Sequence, residues 1–493
     1  MSLIVSISGV RGIVGESLSP DVVVRYVSAF AEYCGGRRIV MGRDGRSTGK
    51  IIANIASSTL LAMGCDVTAI GVSPTPTIQL AVEHSDAAGG ISVTASHNPM
   101  QWNGLKFIGQ DGLFLDAEQN RRLQEIADRG SRQYARWEKI GTHKSDDSFL
   151  QNHIERVLAL RYIEGDAIKK RRLKIVVDCV NAAGGVIAPK LLRELGCTVV
   201  EMNCDVSGIF AHPPEPIPEN LGVLCKRVVD EKADLGIAVD PDADRLVLIT
   251  EKGEPFGEEN TIVSAVKFVL GKEVSLPAEA LPASALGAKA GRQETGVRRQ
   301  ETDVGGQKSE IKGQILGAPR NVVVNLSTTR AVEDVAREFG ARVIRTPVGE
   351  INVAKKMKEI GAIIGGEGSG GVILPSVHFG RDAIVGIGLV VQLLAEFDGT
   401  LSSFKASLPQ YVIVKNKVDV RKDVDHILLA IRRAHNGKVN TDDGVKIDFD
   451  DSWVHLRKSN TEPIIRIIAE ARTLTEAREL VTQFQQKIQS TAL

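Results

Sequence analysis

One pattern of residues occurs three times in this chain of 493 residues and limits its fold more than any other feature. Each copy begins with a short apolar segment and a polar turn, continues with an amphipathic segment that stops at glycine, and ends with a second apolar segment. A strand, a turn, a helix ended by glycine and a second strand form a β-α-β unit with parallel, buried strands. The three copies, at residues 38–68, 173–200 and 321–344, therefore predict three related α/β domains in series.

The pattern changes from about residue 406 onward. Short strand-like segments are clustered there between two helical segments, which predicts an antiparallel sheet with helices on one face, an α+β domain. The strand-like segments are residues 412–414, 445–448, 453–456 and 464–468, and the helical ones are residues 424–435 and 475–488. The sequence therefore predicts four domains, at residues 1–145, 146–250, 251–405 and 406–493.

Residues 272–319 differ in composition from the rest of the third domain. Ala, Gly, Gln, Glu and Arg dominate, aromatic residues are absent, and the motif Arg-Gln-Glu-Thr at residues 292–295 recurs at residues 299–302. Such a segment buries too little apolar surface to offset the entropy lost on ordering. We expect a disordered insertion within the third domain that takes no part in chemistry.

The composition limits the classes of partner. Hydrophobic residues make up 43% and charged residues 25%, as in globular proteins, and 61 Lys and Arg residues balance 61 Asp and Glu residues. No net field therefore attracts nucleic acid or an anionic membrane, and no segment has the features of a membrane span or a signal peptide. The six cysteines show no C-x-x-C spacing and predict reduced core thiols. We expect a cytoplasmic monomer or homodimer with a small-molecule partner.

Residues 94–99 read Thr-Ala-Ser-His-Asn-Pro and follow an apolar segment that ends at Val93. Ser96 thus lies between the end of a strand and a proline, with His97 beside it and Lys106 further along the same loop. A serine in such surroundings can carry a covalently bound group. Most Ser-His neighbours lie in surface loops without a catalytic role, so this motif needs support from elsewhere in the chain.

Residues 240–245 read Asp-Pro-Asp-Ala-Asp-Arg and join two apolar segments. Asp240, Asp242 and Asp244 stand at alternate positions of a turn stiffened by proline and can converge on one hard divalent cation. A calcium loop is excluded because Arg245 stands where such a loop needs glycine. A solvated acidic turn is the other interpretation, but three like charges this close are unfavourable without a cation. The pattern favours magnesium, since few protein oxygens are offered and phosphate supplies another.

Residues 365–371 read Gly-Gly-Glu-Gly-Ser-Gly-Gly and follow another apolar segment. Glycines let the backbone approach a ligand closely, and Glu367 and Ser369 offer an acceptor and a hydroxyl group that suit sugar hydroxyls. The segment lacks the Gly-Lys-Ser/Thr of a Walker loop, and Glu367 stands where a nucleophile elbow requires glycine. A structural glycine turn is an equally good interpretation.

Residues 457–463 read Arg-Lys-Ser-Asn-Thr-Glu-Pro and join two strands of the last domain. Arginine forks together with hydroxyl, amide and backbone donors form a phosphate-binding site. The candidates are four residues of this loop and one residue beyond it: Arg457, Ser459, Asn460, Thr461 and Arg466. A polar hairpin is the alternative, although few hairpins have so many donors.

Together these four loops resemble the motifs of the α-D-phosphohexomutase family, which comprises phosphoglucomutases, phosphomannomutases and phosphoglucosamine mutases. Each motif occurs once, in the family's order, and the resemblance extends over almost the whole chain. It implies three α/β domains and a C-terminal domain around a central cleft, with one loop from each. It also implies an isomerase that interconverts hexose 1-phosphate and 6-phosphate through a phosphoserine enzyme. A hexose bisphosphate is then the intermediate and activator.

The resemblance assigns a role to each loop. Ser96 is expected to carry the phosphoryl group and, with Asp240, Asp242 and Asp244, to bind one Mg²⁺ per subunit. Glu367 and Ser369 are expected to contact the sugar, and the candidates of the last domain to bind the phosphate that does not react. The residues expected to surround the reacting phosphoryl group are Arg11, His97, Lys106 and Arg245.

The chain departs from the family at one position. Many bacterial members have histidine directly after Gly-Glu-x-Ser-Gly, where this chain has Gly371, as relatives of archaeal type also do. His378 follows too far along the chain to be assigned that role. Phosphoryl transfer through a loose transition state needs little help from a base, so Lys106, His97 or Arg11 suffices.

Two other functional classes fit part of the pattern. A metal-dependent phosphatase also has acidic metal ligands, but it releases phosphate from sugar phosphates instead of isomerising them. A non-catalytic sugar-phosphate sensor keeps the phosphate site and the glycine loop, but it has little use for Ser96 and the three aspartates.

Glucosamine phosphate is the predicted substrate, with glucose and mannose phosphates as the alternatives. Residues 345–350, Arg-Thr-Pro-Val-Gly-Glu, follow a strand of the third domain, where the family places residues that recognise the sugar. The ending Val348, Gly349, Glu350 resembles the phosphoglucosamine mutases more than the other branches. Glu350 either faces the ammonium group at C2 or caps a helix that begins near Asn352.

Overall fold

The computed structural model describes residues 3–130, 132–275, 320–420, 423–435, 438–458 and 464–492, and every structural statement below concerns those residues. Most of the predicted insertion therefore lies outside the described residues, as do Ser459, Asn460 and Thr461. The structure describes the first four residues of the predicted insertion. Residues 272–275 form the end of a helix, and Lys272 pairs with Glu164 at 3.1 Å.

The first domain contains seven strands and four flanking helices. The strands are β1 (Ile4–Ser6), β2 (Gly9–Ile13), β3 (Ile39–Arg43), β4 (Val67–Val72), β5 (Gly89–Val93), β6 (Trp102–Gly109) and β7 (His143–Ser145). The helices are α1 (Pro20–Tyr33), α2 (Gly49–Ala62), α3 (Thr75–Glu83) and α4 (Ala117–Arg129). The sheet order is β1-β2-β6-β5-β3-β4-β7. The predicted β-α-β unit is β3-α2-β4, whose strands pair in parallel, whereas the hairpin β5-β6 is antiparallel.

The second and third domains each contain a four-stranded sheet. The second domain consists of α5 (Ser148–Leu158), α6 (Gly165–Arg171), β8 (Lys174–Asp178), α7 (Ala188–Glu194), β9 (Thr198–Met202), α8 (Gly222–Asp230), β10 (Leu235–Val239) and β11 (Leu246–Thr250). The third consists of α9 (Glu258–Ser275), β12 (Asn321–Asn325), α10 (Ala331–Glu338), β13 (Arg342–Thr346), α11 (Glu350–Ile360), β14 (Ile364–Glu367), β15 (Gly371–Ile373), α12 (Ala383–Glu396) and α13 (Leu401–Ser407).

One strand order is common to all three domains. It reads β6-β5-β3-β4 within the first sheet, β11-β10-β8-β9 in the second and β15-β14-β12-β13 in the third. In each, three parallel strands are followed by one antiparallel strand. The connection to that antiparallel strand contains the serine motif in the first domain, the aspartate motif in the second and the glycine-rich motif in the third. The shared topology therefore places the three motifs at equivalent positions.

The last domain is the predicted antiparallel sheet with helices. Its elements are β16 (Val412–Asp419), α14 (Val424–Arg433), β17 (Lys438–Asn440), β18 (Val445–Asp448), β19 (Trp453–Lys458), β20 (Ile464–Ala471) and α15 (Leu474–Ala492). The sheet order is β16-β20-β19-β18-β17, and every pair is antiparallel. The sequence pattern did not indicate β17, which is only three residues long.

The largest apolar core is shared by the second and third domains. It contains strand residues of both sheets together with α12, whose Ile384, Ile387 and Val391 are fully buried. The first and the last domain have separate principal cores. Apolar contacts also join the first domain to the others, since Leu80 belongs to the largest core and Leu113 clusters with Ile351 and Ala354 of α11. The loops at the ends of the strands lie outside these cores and are available for a site.

Cysteines and apolar helices are the two features to compare with the expectations drawn from composition. All six cysteines carry free thiols, four of them buried, while Cys204 and Cys225 are partly exposed. Among the described residues no single helix is long and apolar enough to cross a bilayer. Only α12 and α13 meet that length and composition together, as a pair bent by 92°.

Deleting residues 277–317 and joining the ends with a short Gly-Ser linker is expected to leave the thermal midpoint and the turnover nearly unchanged. The flanks support this expectation, because Arg320 donates a hydrogen bond to the carbonyl oxygen of Glu273 at 3.3 Å. The ends are therefore close together, and closing the shorter loop costs little. Calorimetry and a steady-state assay of the deletion variant provide the test. A large drop in either quantity would show that the segment packs against the protein.

Candidate active site

Ser96 lies in a strained loop directly after β5. Its backbone has φ +47°, in the left-handed region that residues with side chains rarely adopt, at a cost of about 1–3 kcal/mol. The residue is only 5% exposed, and its Oγ lies 3.1 Å from Asp240 Oδ2 and 3.2 Å from His97 Nδ1. The left-handed backbone and the burial of Ser96 thus fix its hydroxyl group at the contact between the first and second domains.

The three aspartates lie in the turn between β10 and β11. Asp240 Oδ1 accepts hydrogen bonds from the backbone N–H groups of Asp244 at 3.1 Å and Arg245 at 3.2 Å, which closes the turn. All three carboxyl groups are buried, and one oxygen of each lies within 4.8 Å of the other two. The first domain supports the turn, since Thr75 Oγ1 at the start of α3 donates to Asp242 Oδ2 at 2.8 Å.

The arrangement of these aspartates fits a divalent cation. Asp242 Oδ1 and Asp244 Oδ1 are buried and have no hydrogen-bond partner among the described residues. Burial, together with the charges of Asp244 and Asp242, raises the pKa of Asp240 well above its ordinary range. The cluster is therefore unfavourable by itself, and hard carboxylate oxygens with unused lone pairs are the ligands that Mg²⁺ prefers.

Lys106 and His97 differ in charge at neutral pH. Lys106 Nζ, on β6, lies 2.7 Å from Asp242 Oδ2 and 3.4 Å from Asp244 Oδ2. Burial alone would lower the pKa of Lys106, but the two carboxylates outweigh it and raise the pKa to about 12. Burial and the charge of Arg245 lower the pKa of His97 to about 2. The site therefore combines a protonated lysine with a neutral imidazole that is a weak base.

Arginines from three domains lie close enough for their charges to affect one another. Burial lowers the pKa of Arg11, and the positive charges of Arg245 and Arg466 lower it further. Arg11 also donates to Asn98 Oδ1 at 3.0 Å, within the serine loop. The Nε atoms of Arg11 and Arg245 are buried and find no acceptor among the described residues. Clustered guanidinium groups with unused donors fit a phosphate dianion.

Glu367, Ser369 and Glu350 form the part of the site that belongs to the third domain. Glu367 is the last residue of β14, and its Oε1 accepts hydrogen bonds from Asn325 Nδ2 at 2.8 Å and from the backbone N–H of Gly349 at 3.1 Å. Ser369 is half-buried in the following turn. Glu350 is the first residue of α11, so this helix begins slightly earlier than predicted, and its N-cap is Gly349.

Arg381, which no sequence motif indicated, connects these groups. Its guanidinium group donates to Asp244 Oδ2 at 2.6 Å, to Glu367 Oε2 at 2.7 Å and to Glu350 Oε2 at 3.1 Å. Its backbone N–H donates to Glu350 Oε1 at 3.1 Å. Burial lowers the pKa of Arg381, but the three carboxylates outweigh it and raise the pKa well above its ordinary value. The main contact of Glu350 is thus its ion pair with Arg381. Neither of the two roles predicted for Glu350 from the sequence includes this ion pair.

Arg381 also accounts for the glycine at position 371. A Cβ atom on Gly371 would lie 2.4 Å from Cδ and 3.0 Å from Cγ of Arg381, closer than side-chain carbons can approach. A histidine at this position, as in many bacterial members of the family, cannot coexist with this arginine conformation. His378 does not replace it, because its Nε2 is buried in a 2.9 Å contact with Asp382 Oδ2.

The last domain contributes two arginines on adjacent strands. Arg457 and Arg466 are cross-strand partners in β19 and β20, and the candidates at residues 459–461 between them lie outside the described residues. Arg457 Nε lies 2.8 Å from Asp443 Oδ2, which also accepts a hydrogen bond from the backbone N–H of Val348 at 2.9 Å. Asp443, another residue without a sequence signal, thus links the last domain to the predicted sugar-recognition segment.

Comparisons with known proteins agree with this architecture. Consecutive parts of the chain match Phosphoglucomutase/phosphomannomutase alpha/beta/alpha domains I, II and III and the C-terminal domain, at residues 3–134, 151–253, 308–411 and 411–487. A "Probable phosphoglucosamine mutase" of Methanopyrus kandleri is 36% identical over 482 residues, 97% of this chain and 96% of that protein. A "Phosphoglucomutase/phosphomannomutase" of Thermococcus kodakarensis is also 36% identical over 482 residues, with 96% and 95% covered.

A solved structure has a similar fold. It is the crystal structure of a phosphoglucomutase/phosphomannomutase family protein from Burkholderia thailandensis, with a TM-score of 0.79 and 24% identity. The match covers 99% of this chain and 98% of that chain. At this identity the similarity supports the fold, and the roles of residues depend on the geometry described above.

Removing divalent cations is expected to stop turnover, and Mg²⁺ is expected to restore it. Asp242→Asn should raise the Mg²⁺ concentration needed for half-maximal activity by about tenfold or more, because a charged contact contributes about 1.5–3 kcal/mol. Its thermal midpoint should shift by only a few degrees, since one of three repelling charges is also removed. Asp230→Asn, an exposed change in the same domain, is the matched control. Full turnover in a metal-free preparation would contradict the assignment.

Proposed function

This chain belongs to the phosphoglucomutase/phosphomannomutase family and is a phosphohexomutase, an isomerase, and we propose that Ser96 carries the phosphoryl group in its reaction. The family, the fold class and the class of enzyme predicted from the sequence are thereby confirmed. The observation that carries the proposal is the position of Ser96 Oγ, 3.1 Å from Asp240 Oδ2, in the carboxylate cluster that Asp240 forms with Asp242 and Asp244. A buried hydroxyl group beside cation-binding carboxylates has the surroundings that phosphoryl transfer requires.

The reaction proposed for this site has two transfers. Phosphorylated Ser96 first gives its phosphoryl group to a free hydroxyl of a hexose monophosphate. The P–Oγ bond breaks, a bond from phosphorus to the sugar oxygen forms, and the hydroxyl proton ends on Ser96. His97 Nδ1 lies 3.2 Å from Oγ, and this weak base stays neutral while the proton is transferred. The resulting hexose bisphosphate turns end for end, and its other phosphoryl group returns to Ser96.

The charged groups around Ser96 fit these steps. A Mg²⁺ ion held by the three aspartates would supply positive charge against the negative charge of the phosphoryl group. Lys106, which stays protonated at neutral pH, and the unused donors of Arg11 and Arg245 would bind the phosphoryl oxygens. Arg457 and Arg466, with the candidates at residues 459–461, would bind the phosphate that does not react.

Glucosamine phosphate is the substrate that we propose for this site. Two relatives that are each 36% identical to this chain are named for different sugars. The choice between the sugars therefore rests on the charge of the site. Glu350 and Glu367 share the single guanidinium group of Arg381, which leaves negative charge in excess on the sugar side. Burial raises the pKa of Glu350 despite this partner, which indicates that the excess charge is unfavourable without a further cation. An ammonium group at C2 supplies that cation, and a hydroxyl group does not.

Ser96→Ala is expected to remove essentially all isomerase activity, because the variant lacks the hydroxyl group proposed to accept the phosphoryl group. Intact mass and peptide mapping of the native enzyme should find phosphate on Ser96 after incubation with hexose bisphosphate. Ser57→Ala, which removes another buried serine hydroxyl of the first domain, is the control and should retain activity. Full activity of Ser96→Ala, or phosphate on another residue, would exclude Ser96 as the carrier.

The preference for glucosamine phosphate is tested with the 1-phosphates of glucosamine, glucose and mannose. The native enzyme should have its highest kcat/KM with glucosamine 1-phosphate. Glu350→Gln should lower that value about ten- to a hundredfold more than the value for glucose 1-phosphate, because a charge-assisted contact is lost only with the amino sugar. Faster turnover of glucose or mannose phosphate by the native enzyme would contradict the substrate assignment. An equal loss for all three sugars would show that Glu350 acts only through Arg381.

A further inference from the structure

The guanidinium group of Arg46 holds the loop that carries Ser96. Arg46 follows β3 in the first domain and is 1% exposed. Its Nε donates to Asp44 Oδ2 at 3.0 Å, and its two terminal nitrogens donate to four backbone carbonyl groups of the loop. These acceptors belong to Ser96 at 2.5 Å, Asn98 at 2.7 Å, Pro99 at 2.8 Å and Trp102 at 2.9 Å. All five N–H donors of the side chain are therefore used, four of them on one loop.

Asp44 is connected to the other side of Ser96. Its Oδ2 accepts a hydrogen bond from Thr94 Oγ1 at 2.7 Å, and this hydroxyl oxygen accepts the backbone N–H of Ser96 at 2.8 Å. The N–H group and the carbonyl group of Ser96 are thus both connected to the buried pair of Asp44 and Arg46. Because Ser96 has a left-handed backbone, it would relax without these contacts, and its Oγ would turn away from Asp240.

The second domain covers the outer face of this ion pair. The ring centroid of Phe210, in the segment after β9, lies 4.9 Å from Cζ of Arg46. Gly208 lies against the turn that carries Arg46, since a Cβ atom on it would be 2.0 Å from the carbonyl oxygen of Gly45 and 2.5 Å from the nitrogen of Ser47. The aromatic ring adds a cation–π contact and restricts water that would compete for the guanidinium donors.

We propose that Arg46 is a positioning residue for phosphoryl transfer, and that the second domain completes its surroundings through Gly208 and Phe210. The proposal rests on Ser96 as the phosphoryl carrier. The step concerned is phosphorylation of the enzyme by hexose bisphosphate. The bond from phosphorus to the sugar oxygen breaks, a P–Oγ bond forms, and the proton of Ser96 passes to the sugar oxygen. Arg46 acts on this step through the backbone of the loop, and the contact between the two domains thereby influences its rate.

Four single variants of the full-length chain test the proposal. Arg46→Lys keeps the charge, but an ammonium group has only three donors and no planar fork, so it cannot hold four carbonyl groups. Phe210→Ala removes the ring, and Gly208→Ala introduces a Cβ atom against backbone atoms. Gly222→Ala, in the same domain, is the matched control, because a Cβ atom there has no neighbour within 4 Å.

Two measurements are made on each variant. Hydrogen–deuterium exchange of residues 94–102 reports the order of the loop, and the rate at which glucose 1,6-bisphosphate labels Ser96, followed by intact mass, reports its reactivity. Arg46→Lys should exchange faster and be labelled more slowly by on the order of a hundredfold. Phe210→Ala and Gly208→Ala should show smaller effects in the same directions, and Gly222→Ala none. The KM for hexose monophosphate should change less than about threefold, because all the donors of Arg46 are used within the protein and none is left for the substrate.

Each outcome decides one question. Unchanged exchange of residues 94–102 in Arg46→Lys overturns the proposal, and so does a loosened loop with a native labelling rate. If Arg46→Lys does not fold, Phe210→Ala and Gly208→Ala are judged by the same criteria. Absence of label on Ser96 in the native enzyme contradicts the proposed carrier instead, while the exchange data still decide whether Arg46 orders the loop.

Discussion

Charge buried where the domains meet is the constraint on which the rest of the site depends. Five carboxylate groups lie there, and three cationic side chains contact them. The carboxylates belong to Asp240, Asp242, Asp244, Glu350 and Glu367, and the cations are Lys106, Arg245 and Arg381. Removing one partner of a buried ion pair costs about 3–5 kcal/mol, so each contact restricts the positions of the others. The negative excess is also the physical reason why a dication fits the aspartates.

The strand order common to the first three domains explains how the motifs meet. In each domain the motif follows a central parallel strand and precedes the antiparallel strand beside it. A loop in this position is supported on both sides by sheet hydrogen bonds, which holds its side chains more firmly than a free surface loop could. Ser96 and Asp240 are 144 residues apart in sequence, and this support keeps their side chains 3.1 Å apart.

The residues that the sequence did not indicate are the ones that act on other protein groups. Arg381 contacts Asp244 across 137 residues and Glu350 across 31, and Arg46 contacts the carbonyl group of Ser96 across 50. An arginine whose partners are distant carboxylates or backbone carbonyls leaves no local pattern of spacing or polarity. For the same reason the sequence around Glu350 indicates only a ligand or its own helix as a partner, and Asp443 has no local signal.

Local patterns in the sequence were enough to predict the three β-α-β units, the C-terminal α+β domain and the order of the four motifs, because hydrophobic periodicity, helix-ending glycines and short motifs are local properties of a chain. Three features became visible only in the folded chain: which cation pairs with which carboxylate, why Gly371 leaves no room for a histidine, and how the second domain covers the pair of Asp44 and Arg46. These features depend on distances between residues that are far apart in the chain, and packing sets such distances only when the domains have come together.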